Sequence, residues 1–120
     1  MLTFGLAILY VDDPAASARF YAGLFGEEPV ELSPSFAMFA LRSGLRLGLW
    51  SRHTVTPGAA GAGGGTELAF LGEDIDAIHA DWAGRGIPIL QPPVDLDFGR
   101  AFVALDPDGH RLRIYRPAPE

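Results

Sequence analysis

The sequence contains neither cysteine nor lysine. Without cysteine the chain has no disulfide framework, no thiol nucleophile and no thiolate metal site. Because all nine cationic side chains are arginines, chemistry through a lysine Schiff base is also excluded. The formal net charge of −6 has the wrong sign for contact with a phosphate backbone, which argues against a nucleic-acid partner.

Long apolar runs and a basic N-terminal region are also missing. No run approaches the length that spans a membrane. The first residues reach Asp12 and Asp13 without the positive charge typical of a signal peptide. With 48% hydrophobic and 20% charged residues, the composition is that of a globular protein, and 120 residues suffice for one domain with a modest core. We expect a single cytoplasmic domain with no membrane partner.

A hairpin near the C-terminus is the most informative stretch of the sequence. Residues 98–115 read as two apolar strands joined by the turn D-P-D-G at 106–109. Proline fixes φ at the second turn position, and the final glycine can adopt the left-handed conformation that closes the hairpin. Strand alternation then places Arg113 and Tyr115 on the face opposite the apolar residues, where a pocket could form.

The sequence contains this pattern twice. Residues 36–50 match 101–115 at an offset of 65, and residues 6–13 match 67–74 at an offset of 61. One loop insertion explains the difference of four residues. The chain therefore reads as two copies of one unit of about sixty residues, too few copies for a solenoid.

Each copy predicts the element order β-α-β-β-β. In the first copy, Asp13 is a predicted helix cap, Pro14 the first helical position and Gly26 the stop. The first copy has an apolar strand at 2–11 suited to burial on both faces, a helix at 15–25, and strands near 30, at 36–41 and at 45–50. The second copy has a strand at 66–71, a helix at 74–85, and strands near 89, at 100–105 and at 111–115.

The predicted modules span residues 1–52 and 66–120 of one domain that covers 1–120. Residues 53–65 form a glycine-rich linker, which we expect to be flexible. Asp95 and Asp97 are assigned to a solvated loop after Pro92 and Pro93.

The duplicated pattern resembles the vicinal oxygen chelate superfamily, which includes glyoxalase I, extradiol dioxygenases and the bleomycin-resistance proteins. The matching motifs are V-D-D-P-x-x-S-x-x-F-Y-x-x-L-F-G at 11–26, E-L-A-F at 67–70 and D-P-D-G-H at 106–110. The resemblance implies an α+β fold in which tandem βαβββ modules form a U-shaped, mixed eight-strand sheet with the helices on its convex side. This fold hosts enzymes and binding proteins alike, so function depends on the site.

The resemblance also implies where the metal ligands of the superfamily would lie. The first-strand positions are Leu6 and Glu67, and the last-strand positions are Gly48 and Arg113. A divalent metal needs about four His, Glu or Gln side chains there, whereas one carboxylate is present and a guanidinium cannot deprotonate to bind a metal. We expect no metal, no other cofactor and no catalytic residue, and we expect Glu67 and Arg113 to form an ion pair.

We expect these positions to line a ligand pocket instead. Residues two apart in a strand share a face, so the concave side would combine aromatic side chains with one acid and one arginine, a usual composition for a small-molecule site. The predicted ligand-binding residues are Leu6, Ile8, Tyr10, Gly48, Trp50, Glu67, Phe98, Phe102, Arg113 and Tyr115. The alternative is that Trp50 and Tyr115 are ordinary core aromatics.

Within the superfamily the sequence is similar to the phenazine-antibiotic resistance proteins, metal-free proteins that bind and sequester a drug. The similarity rests on L-W-S at 49–51, on Asp76 with Trp82, and on F-G-R-x-F at 98–102. It implies homodimers with pockets between subunits, although the modules of this chain could pair within one chain or between two.

We therefore expect metal-free binding of a planar aromatic small molecule of the phenazine or bleomycin type, related to antibiotic resistance. The alternative function is that of an enzyme of this fold, a lyase, isomerase or dioxygenase. Such an enzyme would work on a small-molecule substrate with a metal or with Glu67 as its base.

Overall fold

A computed structural model describes residues 3–59, 63 and 65–119 of the chain. Over these residues the β-α-β-β-β order occurs twice, as the sequence predicts, in two compact units at 1–60 and 61–120. The elements are β1 (Ala7–Val11), α1 (Pro14–Phe25), β2 (Glu31–Leu32), β3 (Phe36–Ala40), β4 (Arg46–Ser51), β5 (Glu67–Leu71), α2 (Ile75–Gly84), β6 (Ile89–Leu96), β7 (Gly99–Leu105) and β8 (Arg111–Pro117).

Each unit contains a mixed four-stranded sheet, which confirms the α+β class. The strand orders are β1-β4-β3-β2 and β5-β8-β7-β6, with one parallel pair in each sheet, β1 with β4 and β5 with β8. Ile8 lies opposite Gly48 in the first parallel pair, and Ala69 lies opposite Arg113 in the second. Since 69 − 8 is 61 and 113 − 48 is 65, the strand register reproduces both offsets of the sequence repeat.

The first unit is organised by helix α1 on one face of its sheet. The Asp13 carboxylate caps the helix by accepting hydrogen bonds from the amides of Ala15 and Ala16, at 3.1 and 3.4 Å, and Gly26 ends the helix with φ of 66°. Both predicted helix boundaries are thereby confirmed. The side chains buried in this unit include Leu9, Val11, Ala18, Tyr21, Ala37, Phe39, Leu47 and Leu49.

The second unit repeats this arrangement around α2. Asp74 caps the helix by accepting from the amide of Ala77 at 3.1 Å. Further along the chain, Arg100 on β7 donates two hydrogen bonds to Asp76 of the helix and one to Asp95 on β6. The side chains buried in this unit include Ile75, Ala101, Phe102, Val103, Ala104, Leu112 and Ile114.

Two of the predicted strands are present but differ from the prediction in extent and burial. β1, an edge strand of its sheet, begins at Ala7 and is buried on one face only: Leu9 and Val11 are buried, whereas Ile8 and Tyr10 are 40% and 44% exposed. β6 runs through Pro92 and Pro93, so Asp95 belongs to a strand and not to a loop. Proline is tolerated here because β6 is also an edge strand, and its register against β7 shifts on either side of Gln91.

The segment directly after β4 still packs with the first unit, although the sequence assigns it to the linker. Val55 is buried, and its amide donates to the carbonyl of Ser51 at 3.0 Å. Of the predicted linker at 53–65, residues 60–62 and 64 lie outside the described residues. Neither helix within the described ranges has the length and apolar character needed to cross a membrane.

Candidate functional site

An aromatic face lies on the side of the first sheet that is turned away from α1. It consists of Ile8, Tyr10, Phe36, Gly48 and Trp50. In the register, Trp50 lies between Tyr10 and Phe36, and the Phe36 and Trp50 rings meet edge to face at 6.1 Å. Ile8 and Tyr10 are exposed, while Trp50 is half-buried and its ring is held by the contact with Phe36. The face therefore combines a held indole ring with accessible apolar side chains.

Gly48 permits close packing at one end of the aromatic face. A Cβ atom at this position would lie 3.0 Å from Cε1 of Phe36 and 3.1 Å from Cδ1 of Leu6. The two positions at which the first unit would supply metal ligands, Leu6 and Gly48, are thus packed with a phenylalanine ring. They offer no donor atom to a cation.

A charged face lies on the corresponding side of the second sheet. It consists of Glu67, Arg111, Arg113 and Tyr115, whose neighbours in β8, Leu112 and Ile114, are buried on the other side. The predicted ion pair is confirmed: Nε of Arg113 donates to Oε2 of Glu67 at 2.8 Å, and Nη2 donates to Oε1 at 3.2 Å.

The ion pair is partly shielded from solvent, with 20% of the Arg113 side chain and 35% of the Glu67 side chain exposed. The hydrogen bonds from Arg113 are the main cause that lowers the pKa of Glu67, and they outweigh the opposing effect of burial. The positive charge of Arg111 lowers the pKa further without a hydrogen bond. Glu67 is therefore held as a carboxylate whose two oxygens are both engaged.

Phe98 reaches the charged face from the turn between β6 and β7. Its ring meets that of Tyr115 at 6.1 Å with an angle of 73° between the planes, and its side chain is 47% exposed. The backbone carbonyl of Phe98 accepts from the amide of Ala118 at 2.8 Å, which ties this turn to the end of β8.

Phe102 does not belong with the other predicted site residues. It is fully buried and makes edge-to-face contacts with His79 and Trp82 of α2, at 5.4 and 5.5 Å. In the register it lies opposite Ile114, whereas Arg113 lies opposite Val103. Phe102 is therefore on the helix side of the sheet, and the prediction that it covers the ligand was wrong, because alternation along β7 places it on the face opposite Arg113.

Sequence reasoning missed two residues that the structure adds to these faces. Phe36 is placed opposite Trp50 by the hairpin that turns at Gly44, where φ is 92°. Pairing residues outward from that glycine would have found it. Arg111 shares the face of Arg113 by strand alternation, although it was not among the predicted ligand-binding residues.

The residues at the superfamily's metal positions do not fit a metal in this chain. Leu6 and Gly48 have no donor atoms, and Arg113 places a permanent positive charge against the carboxylate of Glu67. Among the described residues, no group of three or more His, Cys, Asp or Glu side chains comes together in a way that could hold a metal ion. The four positions therefore give a divalent cation no adequate set of ligands.

The chain repeats the βαβββ order, and each unit has one mixed sheet with a helix on one face. This is the fold that the sequence motifs indicate. The model of the Glyoxalase/Bleomycin resistance protein/Dioxygenase superfamily matches residues 3–114. The chain is a member of this superfamily.

Similar proteins include a resistance protein and proteins of this fold whose structures have been solved. The phenazine antibiotic resistance protein EhpR of Enterobacter agglomerans is 29% identical over 119 residues, which cover 94% of this chain and 91% of that protein. The solution structure of protein ATC0852 from Agrobacterium tumefaciens is 50% identical, with a TM-score of 0.90 over 99% of this chain and 100% of that one. A glyoxalase-related enzyme from Fulvimarina pelagi, 24% identical, shares the fold with a TM-score of 0.81 over 97% and 88% of the two chains.

Proposed function

We propose that the protein binds a planar aromatic small molecule without a metal and acts by sequestering it, in the manner of an antibiotic-resistance protein. The observation that supports this most directly is the aromatic face, where a half-buried Trp50 lies beside exposed Ile8 and Tyr10. A face of this composition would be an unusual surface to leave in water and a suitable one for a flat apolar ring.

Trp50 is the residue on which the ligand would stack. Its ring is held in place by the edge-to-face contact with Phe36 and has strand neighbours on both sides, so little side-chain freedom remains to be lost on binding. A stacked pair of rings contributes about 0.5 to 1.5 kcal/mol beyond the burial of apolar area.

An enzyme that uses Glu67 as its general base is the less favoured function. A general base must be free to accept a proton, and its pKa should lie near the working pH. Both oxygens of Glu67 accept hydrogen bonds from Arg113, and this contact moves the pKa of Glu67 downward, away from neutrality. The name of EhpR, a phenazine antibiotic resistance protein, supports a role in resistance.

The two tryptophans allow a direct test, because they lie on opposite sides of their respective sheets. Trp82 packs against Phe102 beneath α2, so a Trp82→Phe variant leaves Trp50 as the sole indole while keeping an aromatic ring in the core. A Trp50→Phe variant leaves only Trp82. Titration with phenazine-1-carboxylate should quench the fluorescence of the first variant strongly and that of the second only weakly.

Calorimetry on a Trp50→Ala variant then measures the contribution of stacking. We expect affinity to fall by about tenfold while the fold, measured by circular dichroism, is unchanged. Unchanged affinity would show that Trp50 is not part of the site. Binding that requires an added divalent cation would favour the enzyme function instead.

A further inference from the structure

Gly48 is buried although it lies on the face of the first sheet that is turned away from α1. Two apolar side chains cover it. An added Cβ at this position would lie 3.0 Å from Cε1 and 3.1 Å from Cζ of Phe36, and 3.1 Å from Cδ1 of Leu6. The Phe36 ring therefore extends into the space that a side chain at position 48 would occupy.

The same ring contacts both Gly48 and Trp50. Phe36 lies on β3 opposite Trp50 in the strand register. Two residues further along β3, Met38 lies opposite Gly48, so Phe36 is the diagonal neighbour of the glycine and within reach of it. The Phe36 ring meets the indole of Trp50 edge to face, with an angle of 85° between the planes. A change at position 48 is thus transmitted to Trp50 through Phe36.

We propose that Gly48 and Phe36 are positioning residues of the binding site. The missing side chain at position 48 gives the Phe36 ring its place, and that ring fixes the indole of Trp50 on which the ligand stacks. Carbon atoms in contact prefer separations of about 3.5 to 4.0 Å, so a methyl group at position 48 displaces the ring. The indole then gains freedom that has to be lost on binding, which weakens the affinity.

This role also explains why a ligating side chain at position 48 is incompatible with the packing of the first unit. Such a side chain would begin with the same Cβ atom, 3.0 Å from the Phe36 ring. Position 48 can hold a metal ligand or give the Phe36 ring its place, and each excludes the other. The glycine therefore selects a held aromatic surface.

This inference rests on the proposed function, and a double-mutant cycle tests the connection from Gly48 through Phe36. In calorimetry with phenazine-1-carboxylate, Gly48→Ala and Phe36→Leu should each weaken binding about threefold or more. In a Phe36→Leu background, Gly48→Ala should weaken binding less than about twofold, because leucine lacks the ring atoms that the methyl group would meet. An equal effect of Gly48→Ala in both backgrounds would overturn the proposal.

The motion of Trp50 is measured without any ligand. In the Trp82→Phe background Trp50 is the sole indole, and time-resolved fluorescence anisotropy reports its motion on the picosecond to nanosecond timescale. Phe36→Leu and Gly48→Ala should both increase the amplitude of this fast motion. A role of these residues in stability alone would leave the motion of the indole in the folded protein unchanged.

Gly23→Ala is the matched control. Gly23 is an exposed glycine of α1, and apart from its own stretch of helix an added Cβ would meet no atom of the described residues within 4 Å. We expect this variant to change neither the motion of Trp50 nor the affinity for phenazine-1-carboxylate. Circular dichroism and thermal unfolding of each variant would verify that the fold is intact.

The two kinds of measurement separate failure of this inference from failure of the proposed function. If the unmodified protein binds phenazine-1-carboxylate but the motion of Trp50 is unchanged in Phe36→Leu, the inference is overturned and the proposed function stands. Increased motion with unchanged affinity would overturn it as well, since holding the indole would then not matter for binding. If the unmodified protein does not bind the probe, the proposed function fails and the inference fails with it.

Discussion

The pairing of Glu67 with Arg113 decides the chemistry of the second sheet. Alternation along β8 predicts that Arg111 and Arg113 share a face, and the strand register places Glu67 opposite Arg111 on that face. Which arginine pairs with Glu67 depends on the three-dimensional geometry. Arg111 lies opposite Glu67 in the strand register, but Arg113 forms the ion pair. This pairing makes Glu67 a poor general base.

At the residue scale, the ion pair predicts a pH dependence of stability. The pKa of Glu67 is lowered in the folded state, so the pair stabilises the protein above the ordinary pKa of glutamate, 4.5, and the stabilisation is lost as pH falls through the lowered value. Because the carboxylate is about a third exposed, screening limits the contribution to about 1 kcal/mol, well under the cost of breaking a fully buried pair.

Urea unfolding of Glu67→Gln measures this contribution. We expect the variant to be less stable than the unmodified protein by about 1 kcal/mol at neutral pH, and the difference to vanish once the pH falls below the lowered pKa of Glu67. Glu31→Gln is the control, because Glu31 is an exposed residue of β2 and its substitution changes the charge by the same amount. A deficit in Glu67→Gln that persists unchanged at acidic pH would show that the ion pair is not its cause.

At the scale of single elements, the sequence predicted the helices better than the edge strands. The start of α1 is encoded locally by Asp13 and Pro14, and its end by Gly26, so no tertiary contact was needed to find it. β6 was not recognised at full length because Pro92 and Pro93 argue against a strand. They are accommodated since one side of β6 pairs with no other strand of its sheet, a property of the topology and not of the local sequence.

The cap of α1 gives a prediction about a single element. Replacing Asp13 with alanine removes the acceptor for two helix amides and should lower the free energy of unfolding by about 1 kcal/mol, as measured in urea. Asp13→Asn is the matched variant, because an asparagine oxygen can accept the same hydrogen bonds. We expect it to retain most of the stability. Equal losses in both variants would attribute the effect to the charge of Asp13 and not to its hydrogen bonds.

For the whole molecule, the sequence indicated a duplicated fold, and the structure shows which strand edges are protected in each unit. β2 has only two residues, and β6 contains two prolines and a shifted register, and both features discourage pairing with another strand. The opposite edges of the two sheets, at β1 and β5, have neither feature. Leu71 at the end of β5 is 72% exposed, which is unusual for a leucine in a strand.

We propose that the protein is a homodimer whose interface includes β5. Sedimentation equilibrium at micromolar concentration should then give twice the 12.8 kDa mass of one chain. Leu71→Arg should shift the mass toward one chain, because it places a charge in the interface, yet it should not disturb folding since the side chain is already exposed. Val30→Arg, at an exposed valine just before β2, is the control and should leave the dimer intact. A mass of one chain for the unmodified protein contradicts the dimer, and a dimer that persists in Leu71→Arg places its interface away from β5.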